Sequence, residues 1–225
     1  MSLSLPATHA VPPPHRVLST GFDALDSVLA TGGFPRSFLV DVVAREGSLP
    51  AARQLLLRTV ARQQAEGRIA YWVDAGQELE LPVAAALGVR GAELLISQPD
   101  TLQHLFEVLL AVLRSQAIDF VVVDGLEAIA SSASAATHSR LLRQLHAAVR
   151  RFGASVVFLR AKRELSDALR AAGGESVRLY SSIRCEVQRA PAKGQGGQHA
   201  LVKVLKNQFA APFVEALVAV GPEAQ

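Results

Sequence analysis

The chain has 225 residues, half of them apolar and 19% charged, with a formal net charge of +3. That length suits one large domain with short appendages, and so small a charge gives no argument for nucleic-acid binding by itself; local clusters must carry one. A single cysteine, Cys185, and six scattered histidines exclude an internal disulfide framework and a cysteine-based zinc site.

The composition fits a reducing cytoplasm. No apolar run reaches the ~18 residues needed to span a bilayer, and the N-terminus has no basic region followed by an apolar stretch. The expectation is a cytoplasmic protein with no membrane contact.

Residues 1–17, with Pro6, Pro12, Pro13 and Pro14, read as a flexible proline-rich arm, and residues 18–225 as one domain. Ser19 or Thr20 is placed to cap a short helix over Phe22–Ala30 that Gly32 and Gly33 end. Phe38–Val43 reads as a strand. A helix over Pro50–Gln64 follows, with proline suited to its first turn and Leu55, Leu56, Thr59 and Val60 as its inner stripe. Ile69–Val73 and Leu94–Ser97 are strands around a short helix at Pro82–Leu87. Asp100 or Thr101 caps an amphipathic helix through Ser115, with Leu102, Leu105, Phe106 and Leu109 inward.

Phe120–Val123 is a β-branched run of the kind covered on both faces. A helix over Ser139–Phe152 ends at Gly153, and Ser155–Leu159 is another buried strand. Strands alternating with helices imply an α/β fold, a mostly parallel sheet flanked by helices. Beyond it, Ser182–Gln188, Ala200–Leu205 and Phe213–Val220 read as strands of an antiparallel C-terminal extension. Pro191–His199 is their hairpin loop.

An ordered series of segments resembles the bacterial recombinase family RecA. It runs from Ser19-Thr20-Gly21, Leu25-Asp26 and Gly32-Gly33-Phe34-Pro35 through Val73-Asp74-Ala75 and Leu87-Gly88-Val89 to Ser97-Gln98-Pro99-Asp100-Thr101. Val121-Val122-Val123-Asp124, where that family has its Walker B strand, continues it. So do Gly173-Gly174, Tyr180-Ser181-Ser182-Ile183-Arg184 and the stretch from Val202 to Phe213. The resemblance covers roughly residues 18–220 and implies a RecA-like core.

The departures from the family carry functional information. A P-loop needs glycines for a turn that cradles phosphates, a lysine on the phosphates and a Ser or Thr on magnesium. The corresponding stretch is Ala44-Arg45-Glu46-Gly47-Ser48-Leu49-Pro50-Ala51, and Gly-Lys-Ser/Thr occurs nowhere in the chain. Where the family has its water-activating glutamate stands Gly76, with Glu78 and Glu80 nearby in a different register. Arg160 and Ala161 stand at the phosphate-sensing glutamine. Of a lysine pair that reaches a neighbour's nucleotide, Lys206 is kept and Gln208 replaces the other. The expectation is a pseudo-ATPase with no cofactor and no catalytic residues. Asp124 then reads as a relic bonded to nearby N–H groups.

The segments matching the family's two DNA-binding loops, near Ser131–Thr137 and Lys162–Ala172, are short. Lys162, Arg163 and Arg170 in the second are DNA-contact candidates. Arg140, Arg143 and Arg150 share one helical face, which reads either as a phosphate-binding stripe or as a solvated outer surface. Phe209, Phe213, Leu217 and Val218 either pack internally or form an apolar patch for a partner. The strands Ala200–Leu205 and Phe213–Val220 are edge candidates for pairing with another chain. Trp72, Tyr71 and Phe38 read as core.

Among RecA-related families with a degraded nucleotide site, the chain is most similar to ImuA, the accessory family of bacterial damage-induced mutagenesis. That resemblance implies a non-catalytic adaptor in translesion synthesis that binds ImuB, an inactive Y-family polymerase relative, with self-association, RecA and DNA as further partners. A SulA-like cell-division inhibitor binding FtsZ and an atypical RecA-family ATPase are the alternatives.

Overall fold

The computed structural model of the chain describes residues 17–130, 134–161, 175–191 and 198–222. Its body is an eight-stranded sheet in the order β10-β9-β8-β3-β7-β6-β4-β5. Six strands run parallel: β3 (Leu39–Ala44), β4 (Ala70–Asp74), β5 (Leu94–Ser97), β6 (Phe120–Asp124), β7 (Ser155–Ala161) and β8 (Ile183–Arg189). β9 (His199–Asn207) and β10 (Glu215–Ala219) add antiparallel to β8. A two-stranded ribbon pairs β1 (Val17–Leu18) with β2 (Phe34–Pro35). The α/β architecture with an antiparallel C-terminal extension is the one expected.

Every residue of β3 and β6 is buried, and cover on both faces explains the apolar run Phe120–Val123 in β6 and the apolar residues that flank Asp41 in β3. On one face, α1 (Asp23–Leu29), α2 (Leu49–Ala65) and α3 (Leu81–Ala86) pack Leu25, Leu29, Leu55, Leu56 and Ala84 against Val40, Val42, Trp72 and Val157. On the other lie α4 (Leu102–Ser115), α5 (Leu126–Ala130), α6 (Ala135–Phe152) and α7 (Glu175–Tyr180). Leu105, Leu109, Leu142, Leu145 and Val177 meet Leu39, Val121, Val123 and Phe158 there. β9 and β10 contribute only to the first core, through Val202, Val204, Ala216 and Val218, so their second face is open among the described residues. No helix among the described residues is long and apolar enough to cross a membrane.

Several boundaries differ from expectation for local reasons. Ser19 and Thr20 do not cap α1 by accepting its N–H groups. Instead Ser19 Oγ, Thr20 N–H and Thr20 Oγ1 all donate to the Asp26 carboxylate, at 2.7, 2.9 and 2.6 Å. The helix ends at Ala30 in the left-handed region, two residues before the glycines. Gly33 instead serves the β1–β2 ribbon. Its φ is +141, and a Cβ there would lie 2.2 Å from the Leu18 carbonyl oxygen, so only glycine fits. Helix α6 begins four residues earlier than its apolar stripe suggests, because Ser134 Oγ accepts the Thr137 N–H at 3.2 Å. Thr101 caps α4 and Gly153 ends α6, as expected.

β9 is not an edge strand. It lies between β8 and β10, and β10 alone closes that side of the sheet. The proline-rich arm falls outside the described residues, except Val17, which is paired in β1.

Candidate functional site

In open parallel sheets, ligands bind beyond the carboxyl ends of the strands. Here that region holds the turn from β3 into α2, the ends of β4, β6 and β7, and a small pocket of about 160 Å³. Leu49, Gly76, Glu78, Asp124, Glu127 and Leu159 are among its lining residues.

The turn is short and tied sideways. Only four residues separate the end of β3 at Ala44 from the start of α2 at Leu49. The Arg45 N–H donates to the Val187 carbonyl at 2.9 Å, and its guanidinium to Gln188 Oε1 at 2.9 Å. Ser48 is buried, and its hydroxyl accepts the Arg189 N–H at 3.0 Å. Both anchors lie on β8, so the turn is laced to the neighbouring strand. Pro50 sits in the first turn of α2, where its missing N–H costs no helical bond, and Ala51 is buried behind it.

One turn further, Arg53 reaches across the pocket. Its Nε lies 2.6 Å from Asp124 Oδ2 and its Nη2 2.7 Å from Glu78 Oε2, with a longer 3.4 Å contact from Nη2 to Asp124 Oδ1. Burial disfavours the Arg53 charge, but the bonds to Asp124 and Glu78 outweigh it and raise its pKa. Burial likewise pushes the Asp124 carboxyl above its usual range, against the pull of Arg53. The donor that satisfies Asp124 is therefore a side chain on α2, not the nearby N–H groups expected from the sequence.

Asp74 places Glu78. Buried at the end of β4, its carboxylate accepts the Glu78 and Leu79 N–H groups at 2.9 and 3.3 Å and the Gln98 side-chain amide at 3.0 Å. Glu78 thus enters the site despite its shifted register, whereas Glu80 flanks the start of α3. Gly125, with φ +78, abuts Gly76: a Cβ on Gly125 would lie 2.4 Å from the Gly76 nitrogen. Two strand ends therefore meet backbone to backbone at the pocket wall.

Beneath this lies a second ionic group. Asp41, in the middle of β3, is fully buried; Arg160 Nε and Nη2 each reach one of its oxygens at 2.8 Å. Arg184 Nε adds a contact at 3.3 Å. Arg160 thus turns sideways along the sheet instead of into the pocket. Glu127 borders the same pocket, and burial pushes its carboxyl up to about 7, with Arg160 pulling the other way. Neither Asp41 nor Glu127 stands out in the sequence as a site residue, although an aspartate inside an apolar strand demands a buried partner.

The RecA N-terminal domain family matches residues 11–221. The chain belongs to the RecA family. It is 34% identical over 222 residues to Protein RecA 1 of Myxococcus xanthus, covering 89% of this chain and 64% of that protein. It is 33% identical over 235 residues to Protein RecA of Desulforapulum autotrophicum, covering 95% of this chain and 66% of that protein. Protein RecA of Bordetella pertussis is 33% identical over 223 residues, covering 89% and 63%. The chain spans less than two thirds of the length of these relatives.

The remaining candidates scatter over this RecA-family body. Lys206 spends its amine at home: Nζ donates to the carbonyls of Arg178, Leu179 and Ser181 at 3.2, 3.3 and 2.6 Å, closing the end of α7. The Gln208 N–H donates to the Ser182 carbonyl at 3.0 Å. Arg140, Arg143 and Arg150 are exposed along α6, and the Arg150 guanidinium sits over the Phe38 ring, 4.5 Å from its centroid. Lys162, Arg163 and Arg170 lie outside the described residues. The apolar partner set divides. Phe209 and Val218 are core residues, 6% and 3% exposed, Phe209 standing edge-on to Phe38. Phe213 and Leu217 are exposed at 69% and 57%. Alternation along β10 is the reason: Val218 faces α1 and Leu217 faces away.

Proposed function

We propose that this RecA-family chain is a non-catalytic, cytoplasmic adaptor in DNA-damage-induced translesion synthesis. Its main partner in this reading is an inactive Y-family polymerase relative of the ImuB kind, with RecA and DNA as further partners.

The observation that carries the non-catalytic part is the Arg53–Asp124 bond. Residues 44–51 align without gaps to the eight-residue P-loop pattern, which puts Leu49, Pro50 and Ala51 at its second glycine, its lysine and its hydroxyl position. No amine is left for the phosphates and no hydroxyl for magnesium. The aspartate that would face the metal is instead neutralised by an arginine of the chain's own. The pocket of about 160 Å³ is also smaller than the roughly 300–1,000 Å³ typical of ligand sites. A chain with this arrangement acts by contact, and the ImuA resemblance supplies the partner class. The exposed Arg140 and Arg143 supply DNA-facing charge in the same reading.

Two measurements test it. Titration with a fluorescent ATP analogue and magnesium should give no saturable binding; magnesium-dependent saturation would revive the ATPase alternative. Co-purification should recover an ImuB-type protein and not FtsZ; capture of FtsZ alone would favour the cell-division inhibitor.

A further inference from the structure

We propose that β10 is the seat of a second copy of this chain, the two edge strands pairing antiparallel about a two-fold axis through Leu217.

The argument starts from which backbone groups face outward. β10 pairs antiparallel with β9 on one side only, so its other side carries unpaired N–H and C=O groups among the described residues. The Val220 N–H donates to the Gln198 carbonyl at 2.8 Å. Hydrogen-bonding direction alternates along an antiparallel strand. Val218 and Ala216 therefore also face β9, and Glu215, Leu217 and Ala219 face the free edge. Those three positions are symmetric about Leu217. A two-fold axis there sets Leu217 opposite its own copy and Glu215 opposite Ala219 of the second copy, with every outward donor meeting an outward acceptor.

The side chains fit the same register. Leu217 lies on the open face of the extension, 57% exposed, beside a cavity it lines together with Leu201, Ala190 and Pro191. Self-pairing brings the two Leu217 side chains together beside the two cavities, whose walls also carry Gln188, Arg189 and His199. Like charges do not meet, because Glu215 faces an alanine, and its carboxylate is already drawn back over β9 by Lys203 at 3.0 Å. Edge strands that stay monomeric are kept short or carry charges, lysine above all, prolines or bulges; the one charge on β10, Glu215, is paired with Lys203. β10 itself, Glu-Ala-Leu-Val-Ala, has no lysine or proline. Phe213 and Val214 just before it are exposed, but both are tied to Val204 of β9, the Phe213 N–H donating to its carbonyl at 2.7 Å and the Val214 carbonyl accepting its N–H at 2.9 Å, so the free edge begins at Glu215. A five-residue edge buries less than the ~1,200–2,000 Å² of a standard interface, so the pairing is weak, on the order of micromolar.

Sedimentation of the full chain should show a dimer fraction that rises with concentration. Leu217→Lys and Leu217→Glu, each on an exposed position, should abolish it singly, and a one-to-one mixture should restore it. Register is read by cross-linking. Leu217→Cys should form an intermolecular disulfide under mild oxidation at least tenfold faster than Ala219→Cys, whose two copies sit about four residues out of step, roughly 14 Å apart. The native Cys185 is buried and does not compete. A wild-type chain that stays monomeric to about 100 μM overturns the proposal and leaves the edge to another segment or another protein. Equal cross-linking at the two positions, or a dimer indifferent to Leu217→Lys, overturns it as well.

Discussion

Arg53 and Asp124, 71 residues apart in sequence, are joined by a 2.6 Å bond that ties the second turn of α2 to the end of β6. Removing one partner of such a pair strands the other charge in a poorly solvated place. Arg53→Met is expected to lower stability by about 3 kcal/mol, measured by urea unfolding. The double change Arg53→Met with Asp124→Leu should recover much of that loss, since an apolar replacement of both ions removes the stranded charge.

The Asp41–Arg160 pair is more deeply enclosed. Asp41→Ala leaves Arg160 and Arg184 facing each other without their shared anion, and the expected loss is about 4 kcal/mol. Thermal unfolding should show a larger drop for this variant than for Arg53→Met.

Glu127 gives a pH dependence with a definite sign. Its folded-state pKa of about 7 lies above the ordinary 4.5. Folding therefore favours the protonated form. The stability it contributes is complete below pH 4.5, falls as pH rises towards about 7, and is then lost. Glu127→Gln should flatten the stability profile across that window and raise stability at pH 8 by on the order of 2 kcal/mol. Denaturation midpoints at several pH values check it.

Introducing Leu49→Gly, Pro50→Lys and Ala51→Thr together with Ala44→Gly should give no magnesium-dependent ATP binding while Arg53 holds Asp124. Adding Arg53→Leu should make binding measurable. Fluorescent nucleotide titration of the two variants compares them directly.

If the exposed arginines of α6 touch phosphates, Arg140→Ala with Arg143→Ala should reduce the slope of log affinity against log salt by roughly 1.5–2. Filter binding across a salt series reads this. An unchanged slope assigns those arginines to the solvated outer surface of α6.

Much of the scaffold is legible in the sequence because it is written in short-range pattern. The run Phe120–Val123 needs two covered faces, and Thr101 and Gly153 mark helix ends by their own chemistry. The five-residue α5 and six-residue α7 are too short to show a helical stripe and lack the first-turn proline that marks the equally short α3. The site is half legible. Pro50 and Ala51 stand out against a known pattern, but what fills the space does not. Arg53 meets Asp124 across 71 residues and Arg160 meets Asp41 across 119, and no local rule links such positions. Phe209 and Leu217 look alike in sequence; strand alternation and the Phe38 ring separate them.

The Arg53–Asp124 contact also constrains the evolutionary future of the chain. In the non-catalytic reading, a lineage gaining a phosphate cradle would have to exchange the proline, the alanine and the arginine in some sequence of single steps. Losing the arginine first leaves the buried Asp124 carboxylate without its side-chain donor, and a lysine gained first would have to share Asp124 and Glu78 with Arg53. In the proposed reading the bond acts as a ratchet, because loss of the arginine is expected to cost stability before any activity can be selected.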